Sequence, residues 1–102
     1  MPVELVQQEP AWLICLDGQI SLTSAAELKA LLLEWLATGK SLELDLRRVE
    51  EIDITIMQLL WAAARQAANI GVECVGRASD AVMTAARDSG FDQMPGFQLQ
   101  ES

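Results

Sequence analysis

Histidine and tyrosine are absent from these 102 residues, and only two cysteines are present. Without histidine the chain has neither the commonest general base near neutral pH nor the commonest metal ligand. No GxSxG elbow, P-loop or strand-following GxGxxG occurs, and neither cysteine has an evident activating base. Acid–base chemistry would fall to carboxylates alone, and no motif gathers two of them. The expectation is a protein that is not an enzyme and needs no cofactor and no metal. Cys15 and Cys74 are too few and too far apart for a disulfide framework or a CxxC site. Each stands in an apolar run, which favours buried free thiols.

Positive charge is also scarce. Seven basic residues against fifteen acidic ones leave a net charge of −8, so nucleic-acid backbones and anionic membranes are repelled on average. No apolar run approaches the roughly 18 residues of a membrane-spanning helix. The N-terminus MPVELVQQEP lacks a basic, apolar leader. A soluble, cytoplasmic protein is expected, without nucleic-acid binding or membrane insertion. No internal repeat, linker or low-complexity tract is visible, and the length suits one domain, residues 1–102, with a single modest core.

What is present is patterned apolar sequence. VELVQ and AWLICL, separated by Glu9-Pro10, read as a hairpin ending at Asp17-Gly18. Leu28, Leu31, Leu32, Trp35 and Leu36 then recur at helical spacing, after Thr23 or Ser24 as cap, predicting a helix from about Ala25 to Thr38 stopped by Gly39. SLELDL alternates as a half-buried strand, with one sheet face wet. Residues 54–70 return to helical period before Gly71, and VECV is a further strand. Ser79 or Asp80 caps a last helix through Asp88, closed by Gly90, and Phe97 to Leu99 suggest a short terminal strand. This order predicts a single-domain α/β fold with a mixed four- to five-stranded sheet, mainly parallel after the hairpin, and three or more helices.

One stretch, EEIDITIMQLLW (residues 50–61), carries the functional question. Asp53 is well suited to cap the helix that follows, because the first amides of a helix lack intrahelical partners. Thr55 falls in the first turn, either as an ordinary helix-start threonine or as a residue whose hydroxyl faces water for chemistry. At about 100° per residue, Ile56, Leu59, Leu60, Ala63, Ala67 and Ile70 share one face and should form core. Ile54, Met57, Trp61, Ala64 and Ala68 form a second stripe roughly 120° away. That stripe suits a docking surface, since aromatic residues and methionine are enriched at interface cores. The alternative is that the hairpin, a neighbouring helix or a homodimer covers it. Trp12 and Trp35 read as core, whereas Arg47 and Arg48 read as a charged turn after the strand, paired with Glu50 or Glu51, or as a phosphate holder near Thr55.

Taken together, LDGQISLTSAAELKALLLEWLATG, LELDLRRVEEIDIT and GVECVGRASDAVMTAARDSGFD resemble, in order and spacing, the STAS domain family, including bacterial anti-sigma factor antagonists of the SpoIIAA type. The resemblance covers most of the chain. It sets Asp53 on the family's aspartate, Ile54 on its first serine, Thr55 on the phosphorylatable serine or threonine, and Ile56 on its glycine. It implies signal transduction and transcription regulation through protein–protein interaction. The implied partner is an anti-sigma factor or GHKL-type serine/threonine kinase, bound through Asp53, Ile54, Ile56, Met57 and Trp61 and released when Thr55 is phosphorylated. A second implied role is as the solitary STAS subunit docked constitutively on the ABC ATPase of a lipid-transport complex. A third is an unphosphorylated scaffold in a signalling complex.

Overall fold

The computed structural model describes residues 3–89 and 97–101. The elements run β1 (Val3–Gln7), β2 (Trp12–Ile20), α1 (Ala25–Thr38), β3 (Leu42–Ile52), α2 (Ile54–Asn69), β4 (Cys74–Ala78), α3 (Asp80–Ser89) and β5 (Phe97–Glu101). The sheet has the order β1-β2-β3-β4-β5, with β1 antiparallel to β2 and all later neighbours parallel. Because each parallel strand lies next to its predecessor, right-handed crossovers bring α1, α2 and α3 to the same face of the sheet. Burial agrees: Trp12, Ile14 and Leu16 of β2, and Leu42, Leu44 and Leu46 of β3, are enclosed. The alternate residues Cys15, Glu43 and Asp45 are only partly covered, and Asp17 and Arg47 are exposed. One sheet face is therefore core and the other is wet, as the alternation of SLELDL predicts.

Local chemistry explains most boundaries. Gly39 takes φ 70°, the left-handed conformation that ends α1 at the predicted position. The fully buried Trp35 fixes the exit by donating Nε1–H to the Lys40 carbonyl at 2.6 Å. Ser24 stands at the α1 cap position without a side-chain cap bond. The Ser21 and Thr23 hydroxyls instead bond each other at 2.8 Å, in the single 3-10 turn Leu22–Ser24. At α3 the cap is Ser79, not Asp80. Its Oγ receives Val82 N–H at 3.4 Å and donates to the Val49 carbonyl at 2.7 Å, tying the helix to β3. Gly90, expected to close α3, lies outside the described residues.

Two expectations change. Asp17-Gly18 does not end β2, and Arg47-Arg48 do not form a turn, because both strands continue past those points. β3 has 11 residues against 9 in β2, and the surplus is absorbed by register shifts on either side of Asp17-Gly18, where Gly18 supplies φ 78°. These bulges leave Arg47 and Arg48 both outward and turn Val49 inward. The cysteines also differ. Cys74 is buried, and burial pushes its thiol pKa up to about 12, whereas Cys15 is partly exposed on the open sheet face.

Candidate functional site

The extension of β2 and β3 brings their C-terminal ends together beneath the start of α2. Asp53 N–H donates to the Ile20 carbonyl at 2.8 Å, so the residues after β2 lie against the residues after β3. Gln19, Ile20, Ser21, Glu51, Ile52 and Asp53 line a hollow of about 160 Å³ there. Asp53 has an extended backbone (φ −71°, ψ 143°), and its Oδ1 accepts Thr55 N–H at 2.7 Å. It is the helix cap, as its position in the sequence predicts. Its own carbonyl accepts the Ile56 and Met57 amides at 3.0 and 3.2 Å.

The cap fixes how the next residues point. Ile54 is 49% exposed, and Thr55 is also exposed. Ile56 and Met57 turn inward, 0% and 2% exposed, and they belong to the core. The buried face of α2 is Ile56, Met57, Leu60, Ala63, Ala64 and Ala67. Relative to the predicted core stripe it is rotated toward the second stripe, taking in Met57 and Ala64 and leaving Ile70 exposed. The reason is the sheet: a helix laid on a twisted sheet with neighbours on either side buries about half its circumference, more than one stripe. Ile56 and Met57 thus have no surface to offer a partner directly. Of the second stripe, Ile54 and Ala68 remain exposed and Trp61 is half-buried. The Arg65 guanidinium lies 4.8 Å from the Trp61 ring centroid, a cation–π contact that covers part of the indole.

No basic side chain arises from the segments that build this end, since residues 18–28 and 49–64 contain neither lysine nor arginine. Arg47, expected as a possible phosphate holder, is instead engaged with Asp45. Its Nε and Nη2 each lie 2.9 Å from a carboxylate oxygen. The hydrogen bonds from Arg47 hold the Asp45 carboxyl well below the usual range, at about 2. Cys15 contacts the same carboxylate at 3.8 Å, and partial burial together with Asp45 raises its thiol pKa. Arg77 pairs with Glu43 at 3.2 Å on the same open face. Among the described residues no group of three or more acidic or thiol side chains is placed to hold a metal, and no helix is long and apolar enough to cross a membrane.

Sequence reasoning missed the contribution of the segment after β2. Leu22 is 61% exposed there, beside the Ser21–Thr23 hydroxyl pair. The available signal was topological: neighbouring parallel strands end side by side, so the loop after one lies against the loop after the other.

A one-sided five-stranded sheet, its three helices on one face and a capped threonine at the start of α2, invites comparison with known proteins. The family model described as "Mlab, STAS domain" matches residues 4–100. The chain belongs to the STAS domain family. Among solved structures, this STAS domain is similar to the anti-sigma factor antagonist SpoIIAA in its unphosphorylated form, at TM-score 0.80 and 12% identity, covering 98% of this chain and 87% of that one. It is similar to the Bacillus cell fate determinant SpoIIAA in the phosphorylated form, at 0.72 and 14%, with coverage of 98% and 88%. A serine-to-glutamate variant of RsbS from Moorella thermoacetica gives 0.76 and 22%, with coverage of 100% and 88%. No curated protein matches the STAS domain in sequence.

Proposed function

We propose that this STAS domain is a regulatory, non-enzymatic binding module of the cytoplasm. In this reading it docks on an anti-sigma factor or GHKL-type serine/threonine kinase through the N-terminal end of α2, and phosphorylation of Thr55 releases it. The observation that supports the reading is the placement of Thr55. Its amide is tied to Asp53, its side chain stands in solvent on the first helical turn, and the exposed Ile54 stands beside it. Asp53 and Ile54 supply the contact and Trp61 flanks it, while Ile56 and Met57 act from beneath by holding the turn in place.

A phosphate on Thr55 adds about −1.5 to −2 charges at the positive end of the helix dipole, where an anion is tolerated. No lysine or arginine from the adjoining segments is there to neutralise it. The free domain therefore changes little, and the cost falls on the complex, where the phosphate would be desolvated against the partner beside Ile54. The test is phosphate mapping after incubation with ATP and the purified GHKL-type kinases of the same genome, alongside a binding measurement. Label on Thr55 and loss of binding in Thr55→Glu are expected, and a failure of every such kinase to bind or to label Thr55 would overturn the switch.

Ile54 favours a second reading. An exposed branched side chain stands where the STAS resemblance sets a serine, and the core side chain of Ile56 stands where it sets a glycine. Both suit permanent docking on the ABC ATPase of a lipid-transport complex, or scaffolding within a signalling assembly. Copurification with the ATPase that persists in Thr55→Glu would favour that reading over release by phosphate.

A further inference from the structure

α1 is apolar on both of its sides. Leu28, Leu32 and Trp35 are buried against the sheet, while Ala26, Ala30, Leu33 and Ala37 run along the opposite side in solvent, and Leu33 is 57% exposed. Their spacing of four, three and four residues is that of the a and d positions of a coiled coil, and it keeps all four within about 60° of one another on a helical projection. Charge is confined to the two flanks of this line. Lys29 stands on the flank toward α2, where it borders an apolar groove with Leu33, Leu36, Leu59 and Ala62. Glu27 stands on the flank toward β1, and Glu34, one heptad later, follows it along the same flank. None of these three side chains takes part in an ion pair among the described residues.

A helix that is apolar all round is ordinarily covered on every side. We infer that the outer face of α1 is a self-association surface, on which a second copy of this chain lays its own α1 alongside in parallel. The charges select both the occupant and its direction. With Ala30 and Ala37 at a positions and Ala26 and Leu33 at d positions, Lys29 falls at g and Glu34 at the following e, the pair that meets across a parallel two-stranded coiled coil. Two-fold symmetry makes the contact twice, with Lys29 of each copy facing Glu34 of the other. An antiparallel pair sets each flank against its own counterpart, so Glu34 approaches Glu34 and Lys29 meets no carboxylate. Alanine at three of the four contact positions lets the axes approach to about 8 Å, and Leu33 is the bulky anchor. The parallel pair also sets α2 of one copy over the β1 side of the other copy's α1, where no helix lies among the described residues. Because the sheet already holds α1 in helical form, two heptads suffice where an isolated helix pair needs more. Only Glu27 and Glu34 of the chain's fifteen carboxylates lie on α1, so most of the net charge of −8 sits away from the contact. A single helix pair is a small interface, which makes the dimer weak and dependent on concentration. The face does not include Asp53, Ile54 or Thr55, and it stands or falls independently of the proposed switch.

Sedimentation equilibrium of the whole chain from about 10 μM to about 1 mM should show a monomer–dimer equilibrium. Leu33→Asp, on the solvent side of α1, should leave the chain monomeric with its circular dichroism and thermal midpoint unchanged. Lys29→Glu or Glu34→Lys alone should weaken the dimer by roughly tenfold, since each replaces two surface pairs with like charges, and the two together should restore it. Ala37→Cys in a Cys15→Ser background should give a disulfide-linked dimer under mild oxidation, which antiparallel pairing prevents by setting the two copies of position 37 at opposite ends. A chain that stays monomeric at every concentration would overturn the proposal and leave the face to a different protein. A dimer that survives Leu33→Asp, a double charge exchange that fails to rescue, or the lack of a disulfide at position 37 would each overturn it as well.

Discussion

Asp53 does two jobs with one side chain and its own backbone. Oδ1 receives the Thr55 amide, and the peptide N–H reaches across to Ile20. Removing the carboxylate leaves the first turn short of an acceptor, so Asp53→Ala should cost about 1 kcal/mol in urea denaturation, whereas Asp53→Asn should stay close to wild type. Asp45 allows a sharper test. Its carboxyl is held at about 2 by hydrogen bonds from Arg47, so it binds a proton less readily folded than unfolded. The stabilisation is complete above the ordinary carboxylate pKa of about 4 and is lost as the pH falls toward 2. NMR titration should place the Asp45 midpoint near 2, and Arg47→Ala should return it toward the ordinary value. The stability gap between wild type and Asp45→Asn should close over the same interval. Residue chemistry of this kind was legible where it is local: a carboxylate two residues before a threonine at a helix start reads as a cap. The Asp45–Arg47 pair was not, because it depends on β3 continuing where the charged run suggested a turn.

At the scale of elements, α2 shows how a helix is read from its periodicity and then reinterpreted by its neighbours. Period and length were visible in the sequence, and the helix starts at Ile54 as predicted. The rotation of its buried face was not visible, because two apolar stripes roughly 120° apart compete equally on a helical projection. The sheet beneath and the flanking helices decide the matter by enclosing Met57 and Ala64 and leaving Ile54 in solvent. Met57→Ala should therefore cost roughly 2–5 kcal/mol, the range for truncating a buried large side chain, and Ile54→Ala less than about 0.5 kcal/mol. Equal costs in chemical denaturation would return Met57 to the surface stripe and contradict the packing. In binding the order should reverse, with Ile54→Ala weakening the partner complex far more than it destabilises the fold.

For the whole molecule, the acidic balance and the one-sided sheet separate stability from interaction. The core lies between helices and sheet, while Ile54 and Thr55 at the start of α2 stand in solvent and can change without disturbing it. Thr55→Glu should leave thermal stability within about 0.5 kcal/mol of wild type, measured by calorimetry, even where it removes partner binding. A large loss of stability would mean that the substitution acts by unfolding the helix start. The chain itself determined the α/β class, the order of its elements and the α1 and α2 helices with their caps, because periodicity, Asp53 and Gly39 act over a few residues. Tertiary structure alone decided that Ile56 and Met57 are core, that Arg47 serves Asp45 and that Leu22 lies at the α2 end. Each of these depends on which distant segment lies alongside, and strand pairing across the sheet, with its bulges, is not encoded in the spacing of any one segment.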